Sequence, residues 1–261
     1  MTIGLNAYPE GTNTGEQGRV LTSGVPLIRT DRGDYALSWA HSHGIKVDGI
    51  IGMDASSVGA AADLVELDNE PYYNNWDNLG GVEQWAQKAR DVAKQVRAAH
   101  PSATILLPSL AVTNNGDVLD NGTWTPMLSA INKAAPDIWQ YINGIALHPY
   151  TPGASPSGVS TSLSHLRSEL ATIGGRAASL PFYITEVGWT NTGDIAVSES
   201  TAATYMQQLI SAMTSRGDVA ALIAYCTVDN SGLSPASEQG YGVFHADGSP
   251  KPILGVIQSA D

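Results

Sequence analysis

"LVELDNEPYY", Leu64 to Tyr73, opens as an apolar, strand-like run and ends in Asp68, Asn69 and Glu70, with a proline and two tyrosines behind them. "PFYITEVGWT", Pro181 to Thr190, has the same form: an apolar β-run ends in Glu186, and Trp189 follows three residues later. Working outward, similar runs recur as "TIGLNAY" (2–8), "VPLIRTD" (25–31), "KVDGIIGMD" (46–54), "ATILLPSLA" (103–111), "GIALHPY" (144–150) and "ALIAYCTVD" (221–229). Near-continuous apolar runs of this length suit parallel strands buried on both faces.

Helical patterns separate most of these runs. "GVEQWAQKARDVAKQVRAAH" (81–100) places Val82, Trp85, Ala89, Val92 and Val96 on one face and stops before Pro101. "STSLSHLRSELATIG" (160–174) ends at Gly174, and "SESTAATYMQQLISAMTSRG" (198–217) has Ser198 as its cap, Glu199 in the first turn and Gly217 at its end. "YALSWAHSHG" (35–44) is a shorter helix closed by Gly44, and Trp39 and Trp85 read as core residues of their helices. Eight strands alternating with helices predict one compact α/β domain over residues 1–261, a (β/α)8 or TIM barrel. The glycine- and threonine-rich stretch after strand one and the eight residues "ASSVGAAA" after strand three predict reduced helices at those two places.

Composition narrows the function. Thirteen basic residues against 25 acidic ones give a net charge of −12, which argues against a nucleic-acid partner, since phosphate binding needs clustered Lys and Arg. No run approaches the ~20 apolar residues of a membrane span. The N-terminus lacks the basic start and apolar core of a signal peptide, so the expectation is an extracellular or particle-associated protein whose export information lies elsewhere, with a cytoplasmic one left open. It is read as a monomer, or as one module of a larger chain. The one cysteine, Cys226, lies in an apolar run and excludes an intrachain disulfide. No phosphate-cradling glycine loop and no metal-ligand spacing stands out, and no cofactor is expected. The lysines at 46, 88, 94, 133 and 251 fall at strand starts, in helices or in the tail, which disfavours Schiff-base chemistry.

In such a barrel the chemistry gathers at the C-terminal ends of the strands. Those ends supply Asn6 and Tyr8, Arg29 and Asp31, Asp54, Asn69 and Glu70, Ser109, His148 and Tyr150, Glu186 and Trp189, then Tyr225 and Asp229. Glu70 and Glu186 end strands four and seven, so they face each other across the barrel mouth. Two carboxyls placed in this way suit glycosidic bond cleavage: one protonates the leaving oxygen, and the other attacks the anomeric carbon or activates water. The same layout also suits a glycan-binding barrel without turnover, although a pure binder need not keep both glutamates. Tyr72, Tyr73, Trp76 and Trp124 read as loop aromatics of the kind that stack on sugar faces.

These segments resemble the (β/α)8 clan of retaining glycoside hydrolases, clan A, which contains cellulases, mannanases, β-glucosidases and β-xylosidases. The resemblance is carried by "DNEP" (68–71), "ITEVGW" (184–189), "LIRTD" (27–31), "LHPY" (147–150) and the tail "YGVFHADGSPKPI" (241–253). It implies a hydrolase that cleaves a β-linked polysaccharide or oligosaccharide by double displacement. Glu70 would be its acid/base and Glu186 its nucleophile. It further implies that Asn69 bonds the sugar 2-hydroxyl, that Arg29 and Tyr150 hold Glu186 ionised, and that His148 lines the site. Asn6, Asp31 and Tyr72 complete the expected substrate set. Many clan members carry a tryptophan at the end of strand eight where this chain has Tyr225, and Trp189 is the expected replacement platform.

Overall fold

In a computed structural model, which describes residues 1–8, 14–31, 34–57, 62–71, 80–111 and 124–260, eight parallel strands close into a barrel in chain order. The strands are β1 (Thr2–Asn6), β2 (Leu27–Thr30), β3 (Lys46–Ile50), β4 (Leu64–Glu66), β5 (Thr104–Ala111), β6 (Gly144–His148), β7 (Phe182–Val187) and β8 (Val219–Ala224). Each of the eight expected runs holds one strand. Most strands stop short of the run's end: Asn69, Glu70, Tyr150 and Tyr225 stand just beyond them, while Asn6, Arg29, His148 and Glu186 are still strand residues.

The described residues contain seven α-helices: α1 (Thr14–Ser23), α2 (Asp34–Ser42), α3 (Val82–Ala99), α4 (Trp124–Ala134), α5 (Val159–Ile173), α6 (Glu199–Arg216) and α7 (Pro252–Gln258). α3 buries Trp85, Ala86, Ala89, Val92, Ala93 and Val96 on the face that its apolar period marks. The Ser198 hydroxyl accepts from the Thr201 N–H to cap α6, which ends at Gly217 with φ 73°. After β3 only a 3₁₀ turn, Ala55–Ser57, is described. After β1 a helix does form, ten residues long against eighteen in α3 and α6. Trp124 opens a helix rather than sitting in a loop. Pro126 in the first turn, where its missing N–H has no intrahelical partner to lose, suits that start.

Strand alternation divides the core in two. Ile28, Val47, Val65, Ile105, Leu147 and Leu222 face outward into the layer shared with the helices. Leu27, Leu64, Leu106, Ala146, Ala221 and Ile223 face inward and fill the lower barrel with Tyr183 packed against them. Gly144 makes room for that ring, since a Cβ there would lie 2.4 Å from it. One step further along the inward face the chemistry changes. Position 29 is Arg, 48 is Asp, 66 is Glu and 148 is His, with at most 1% of each exposed. An apolar plug therefore carries a buried polar layer, and that layer is the floor of the barrel mouth.

Asp48 is the exception within this layer. Neither of its carboxyl oxygens has a hydrogen-bond partner among the described residues. Burial, then the charge of Glu66, push its pKa from 3.8 up to about 8, against a smaller opposing pull from Arg29. The folded chain thus keeps a proton that the unfolded chain gives up, so stability falls as pH rises between about 4 and 8. Asp48→Asn keeps the shape and removes the titration. Its melting temperature should exceed that of the parent at pH 8, and the difference should shrink towards pH 4. Thermal melts across that range measure it.

Candidate active site

The site starts from Arg29, which β2 carries inward to almost complete burial. A cation cannot stay there without anions. Arg29 Nε donates to Glu66 Oε2 at 2.7 Å, Nη2 to Asn69 Oδ1 at 2.8 Å, and Nη1 to Glu186 Oε1. Glu66 is filled on its other oxygen by the Ser109 N–H at 3.1 Å and the Thr185 hydroxyl at 3.4 Å. Asn6 turns its amide so that the oxygen accepts from Arg29 Nη1 at 3.1 Å and the nitrogen donates to the Arg29 carbonyl at 3.2 Å.

The loop after β4 shows what each residue of "DNE" does. Asp68 accepts from the Asn69 N–H at 2.9 Å and from the Trp85 indole N–H of α3 at 3.1 Å, which pins the strand end to its helix. Asn69, which lines the cavity, commits its oxygen to Arg29 and to the Ser109 hydroxyl, at 2.8 and 3.4 Å, and its NH₂ donates to none of the described residues. Glu70 has φ 44°, in the left-handed region that a side chain adopts at a cost. Its N–H is met by the Ser109 hydroxyl at 3.3 Å. Its carboxylate receives His148 Nδ1 at 2.7 Å, and the other ring nitrogen of His148 lies 3.1 Å from the Thr185 hydroxyl.

Glu186 reaches the same place through an irregular strand. Alternation sets Ile184 and Val187 facing outward, yet the β7–β8 register shifts between them: Ile184 pairs with Leu222, and Val187 with Ala224. The extra residue re-aims the chain, as β-bulges do. Glu186 Oε2 accepts from the Tyr150 hydroxyl at 3.0 Å. One ligand atom each from Glu70, His148 and Glu186 lie within 4.8 Å of one another. Burial pushes the Glu186 pKa up. His148, Arg29 and the hydrogen bonds from Tyr150 and Arg29 outweigh it, so the carboxyl ends below its ordinary value. Tyr150 moves the opposite way: burial, then the Glu186 charge, keep its hydroxyl protonated and donating.

Above these groups lies an open cavity of about 730 Å³. Asn69, Glu70, Tyr150, Glu186 and Tyr225 line it, so five of the expected residues meet at one surface. Arg29, His148 and Asn6 support it from beneath. Tyr150, Tyr225 and Tyr241 pack edge to face, with centroids 5.7 to 6.4 Å apart. Two expected residues do not reach the cavity. Trp189 is buried, gives its indole N–H to the Ala154 carbonyl at 2.8 Å and packs on Tyr205 of α6. Gly188 turns the chain there, tight against the Tyr225 carbonyl, where a Cβ would lie 2.5 Å away. Asp31 is exposed beyond β2 and does not join the described lining. Tyr72, like Tyr73 and Trp76, lies outside the described residues.

Tyr8, a strand-end residue of the first run, and Tyr241, the first residue of the tail, also line the cavity, and Asp194, Ile195 and Glu238 join them without a signal in the strands. Tyr8 comes from the end of β1, Asp194 and Ile195 from the loop after β7, and Glu238 and Tyr241 from the segment after β8. That last segment is anchored by Lys251, 4% exposed, which donates to Asp229 at 2.7 Å and to the Gly240 carbonyl at 3.1 Å. The "DGSPKP" tail quoted above was the available clue, since its lysine is the anchor.

Residues 64–227 match the cellulase family, glycosyl hydrolase family 5. Among solved structures the chain is similar to a family 39 glycoside hydrolase from the gut symbiont Bacteroides cellulosilyticus WH2. The TM-score is 0.73 at 16% identity, over 99% of this chain and 63% of that one. It is also similar to a family 128 endo-β-1,3-glucanase from Amycolatopsis mediterranei, solved as a mutant with laminaripentaose (TM-score 0.65, 17% identity, 100% of this chain and 99% of that one). A third is the catalytic core of xylanase A (TM-score 0.65, 15% identity, 100% and 97%). At these identities the likeness is one of fold. The chain spans less than two thirds of the first of these proteins. Among curated proteins none matches.

The arrangement makes Glu186 depend on Tyr150 for part of its ionisation. Tyr150→Phe removes one donor from the carboxylate and leaves the ring packing in place, so the Glu186 pKa should rise. Carboxyl-detected NMR titration of the two proteins measures the shift, and an unchanged value would separate Tyr150 from the charge state of Glu186.

Proposed function

Because the chain belongs to the cellulase family, glycosyl hydrolase family 5, we propose that it is a retaining glycoside hydrolase acting on a β-linked polysaccharide or oligosaccharide. The observation that carries this reading is the spacing of Glu70 and Glu186, whose nearest oxygens lie within 4.8 Å across the cavity. Retention needs carboxyls about 5–5.5 Å apart, whereas inversion leaves room for a water at about 6.5–9.5 Å.

In this reading Glu186 is the nucleophile. Its low pKa keeps it ionised, and Tyr150 and Arg29 fix its two oxygens. Glu70 gives its proton to the glycosidic oxygen as the bond to the anomeric carbon breaks and Glu186 bonds to that carbon. With the Glu186 charge consumed, Glu70 takes a proton from the incoming water, which releases the sugar with its original configuration. His148, between Glu70 and Thr185, orients the acid. The free NH₂ of Asn69 is available for a sugar hydroxyl, and the rings of Tyr225 and Tyr241 offer apolar faces to the pyranose. The whole of residues 1–261 serves as one catalytic domain, and a polymeric substrate goes with an extracellular or particle-associated setting.

The test is hydrolysis of a panel of aryl β-glycosides and β-glycans. Glu186→Ala should abolish turnover. Glu70→Gln should lower kcat/KM on glycans with poor leaving groups by about 10²–10⁴-fold, the usual worth of a positioned acid, while sparing the first step on activated aryl glycosides. NMR of the first product should show the β-anomer. Glycan binding with no turnover by the parent protein would support a binding barrel instead, and an inverted product would refute the mechanism.

A further inference from the structure

The cavity has a charge that the catalytic pair does not account for. Besides Glu70 and Glu186, Asp194 and Glu238 line it, and none of the described residues in the lining is Lys or Arg. The nearest cation, Arg29, is enclosed beneath the floor and already committed to Glu66 and Glu186. Neither the Asp194 nor the Glu238 carboxylate accepts a hydrogen bond among the described residues. Glu238 is half-buried. Burial, then Glu186 and Glu70, raise its pKa above the ordinary value, so it feels the catalytic pair across the cavity.

The wall that holds these two acids is built rather than loose. Asp194 and Glu238 sit on two interlocked loops. The Asn191 N–H bonds the Gly240 carbonyl at 3.3 Å, and the Thr192 hydroxyl bonds the Ala236 carbonyl at 2.7 Å. At Gly193, φ 79°, a Cβ would lie 2.7 Å from the Ser237 nitrogen, and at Gly240 one would lie 2.2 Å from Asn191 Oδ1. Lys251 secures the second loop from below, through Gly240. Glu238 stands close enough to Glu186 and Glu70 to feel their charge, while Asp194 is exposed where it lines the same cavity; a ligand relieves the repulsion among these acids only by bringing donors or positive charge.

We infer that Glu238, with Asp194, is a specificity residue that selects uncharged or amine-bearing sugars and rejects uronates. This deepens the proposed function, since it rests on the cavity being the sugar site. A neutral sugar places hydroxyl donors against Glu238, and an amino sugar adds an ammonium. A uronate would bring a fifth carboxylate into a lining that offers it no cation, which is discrimination by repulsion.

The test compares matched β-linked oligosaccharides of glucose, glucosamine and glucuronic acid. Binding is measured by calorimetry, and turnover on the corresponding 4-nitrophenyl β-glycosides. The parent should bind the neutral or amine form more tightly than the uronate, and Glu238→Gln should narrow that ratio by about tenfold, the effect of about 1.4 kcal/mol of like-charge repulsion. Asp194→Asn should narrow it in the same direction, and so should 1 M salt on the parent, by screening. The salt measurement stands even if a variant fails to fold. Uronate bound as well as glucose, a ratio unmoved by Glu238→Gln and by salt, or no sugar bound at all would each overturn the inference. The expected ranking in binding without turnover of any glycoside would overturn the hydrolase reading and leave the selectivity of the cavity standing.

Discussion

Everything at the mouth of this barrel depends on keeping one guanidinium out of water. Arg29 is carried by β2 into a position with 1% exposure, where an unpaired cation would be costly by several kcal/mol. Its three bonding directions fix Glu66 from β4, Asn69 from the loop beyond it, and Glu186 from β7. One side chain therefore sets the distance between strands on opposite sides of the barrel. It also divides the labour between two glutamates. Glu66 balances it from below and is fully satisfied, while Glu186 balances it from above and keeps one edge towards the cavity. The polar layer has a place because the apolar plug under it seals the lower barrel, and the outward faces of the same strands bind the helices without any polar demand.

A second ion pair performs the corresponding task at the wall. Lys251 and Asp229 meet at 2.7 Å, with Lys251 3% exposed at its side chain. Asp229 also accepts from the Gly242 N–H at 2.9 Å. The segment after β8 is thereby fastened at both ends of the run that carries Glu238 and Tyr241. The floor and the wall are each organised around a buried cation: Arg29 is paired with anions from two other strands, and Lys251 with the aspartate at the start of its own segment. Pairs of this kind contribute orientation more reliably than net stability.

The fold was legible because its signals were local. Each strand is a short apolar run, and α3, α5 and α6 carry their own periods and end signals, so the alternation of elements could be read from one sequence. Glu70, Glu186, His148, Tyr150, Asn69 and Arg29 were legible because strand ends converge in a barrel. What could not be read depends on how strands are registered and where loops lean. Glu66 and Asp48 look like ordinary polar steps in a strand until the inward face is known. Trp189 reads as a platform three residues after Glu186, but Gly188 turns it into the core. The bulge that aims Glu186 leaves no mark in its composition. Glu238 belongs to a loop whose position is set by Lys251, and the tail that holds this lysine does not tell where that loop leans. The helix that opens at Trp124 was hidden by the asparagine- and glycine-rich stretch before it.

The left-handed backbone at Glu70 bears on how this protein would wear out. At φ 44° the residue does not rest at its own minimum; the Ser109 hydroxyl, the Asn69 anchor and the His148 ring hold it there. The aim of the carboxyl is thus imposed by neighbours rather than by its own torsions. Ser109 and His148 are buried near the C-terminal ends of their strands, and Asn69 lies on the loop just beyond β4; a local opening there needs less energy than separating the barrel. Any loosening of these contacts therefore acts on the acid before it acts on the barrel. The chain slips towards its preferred conformation and the carboxyl swings off line while the strands still hold. A small local relaxation is thus enough to misaim the acid, with the strands of the barrel unchanged.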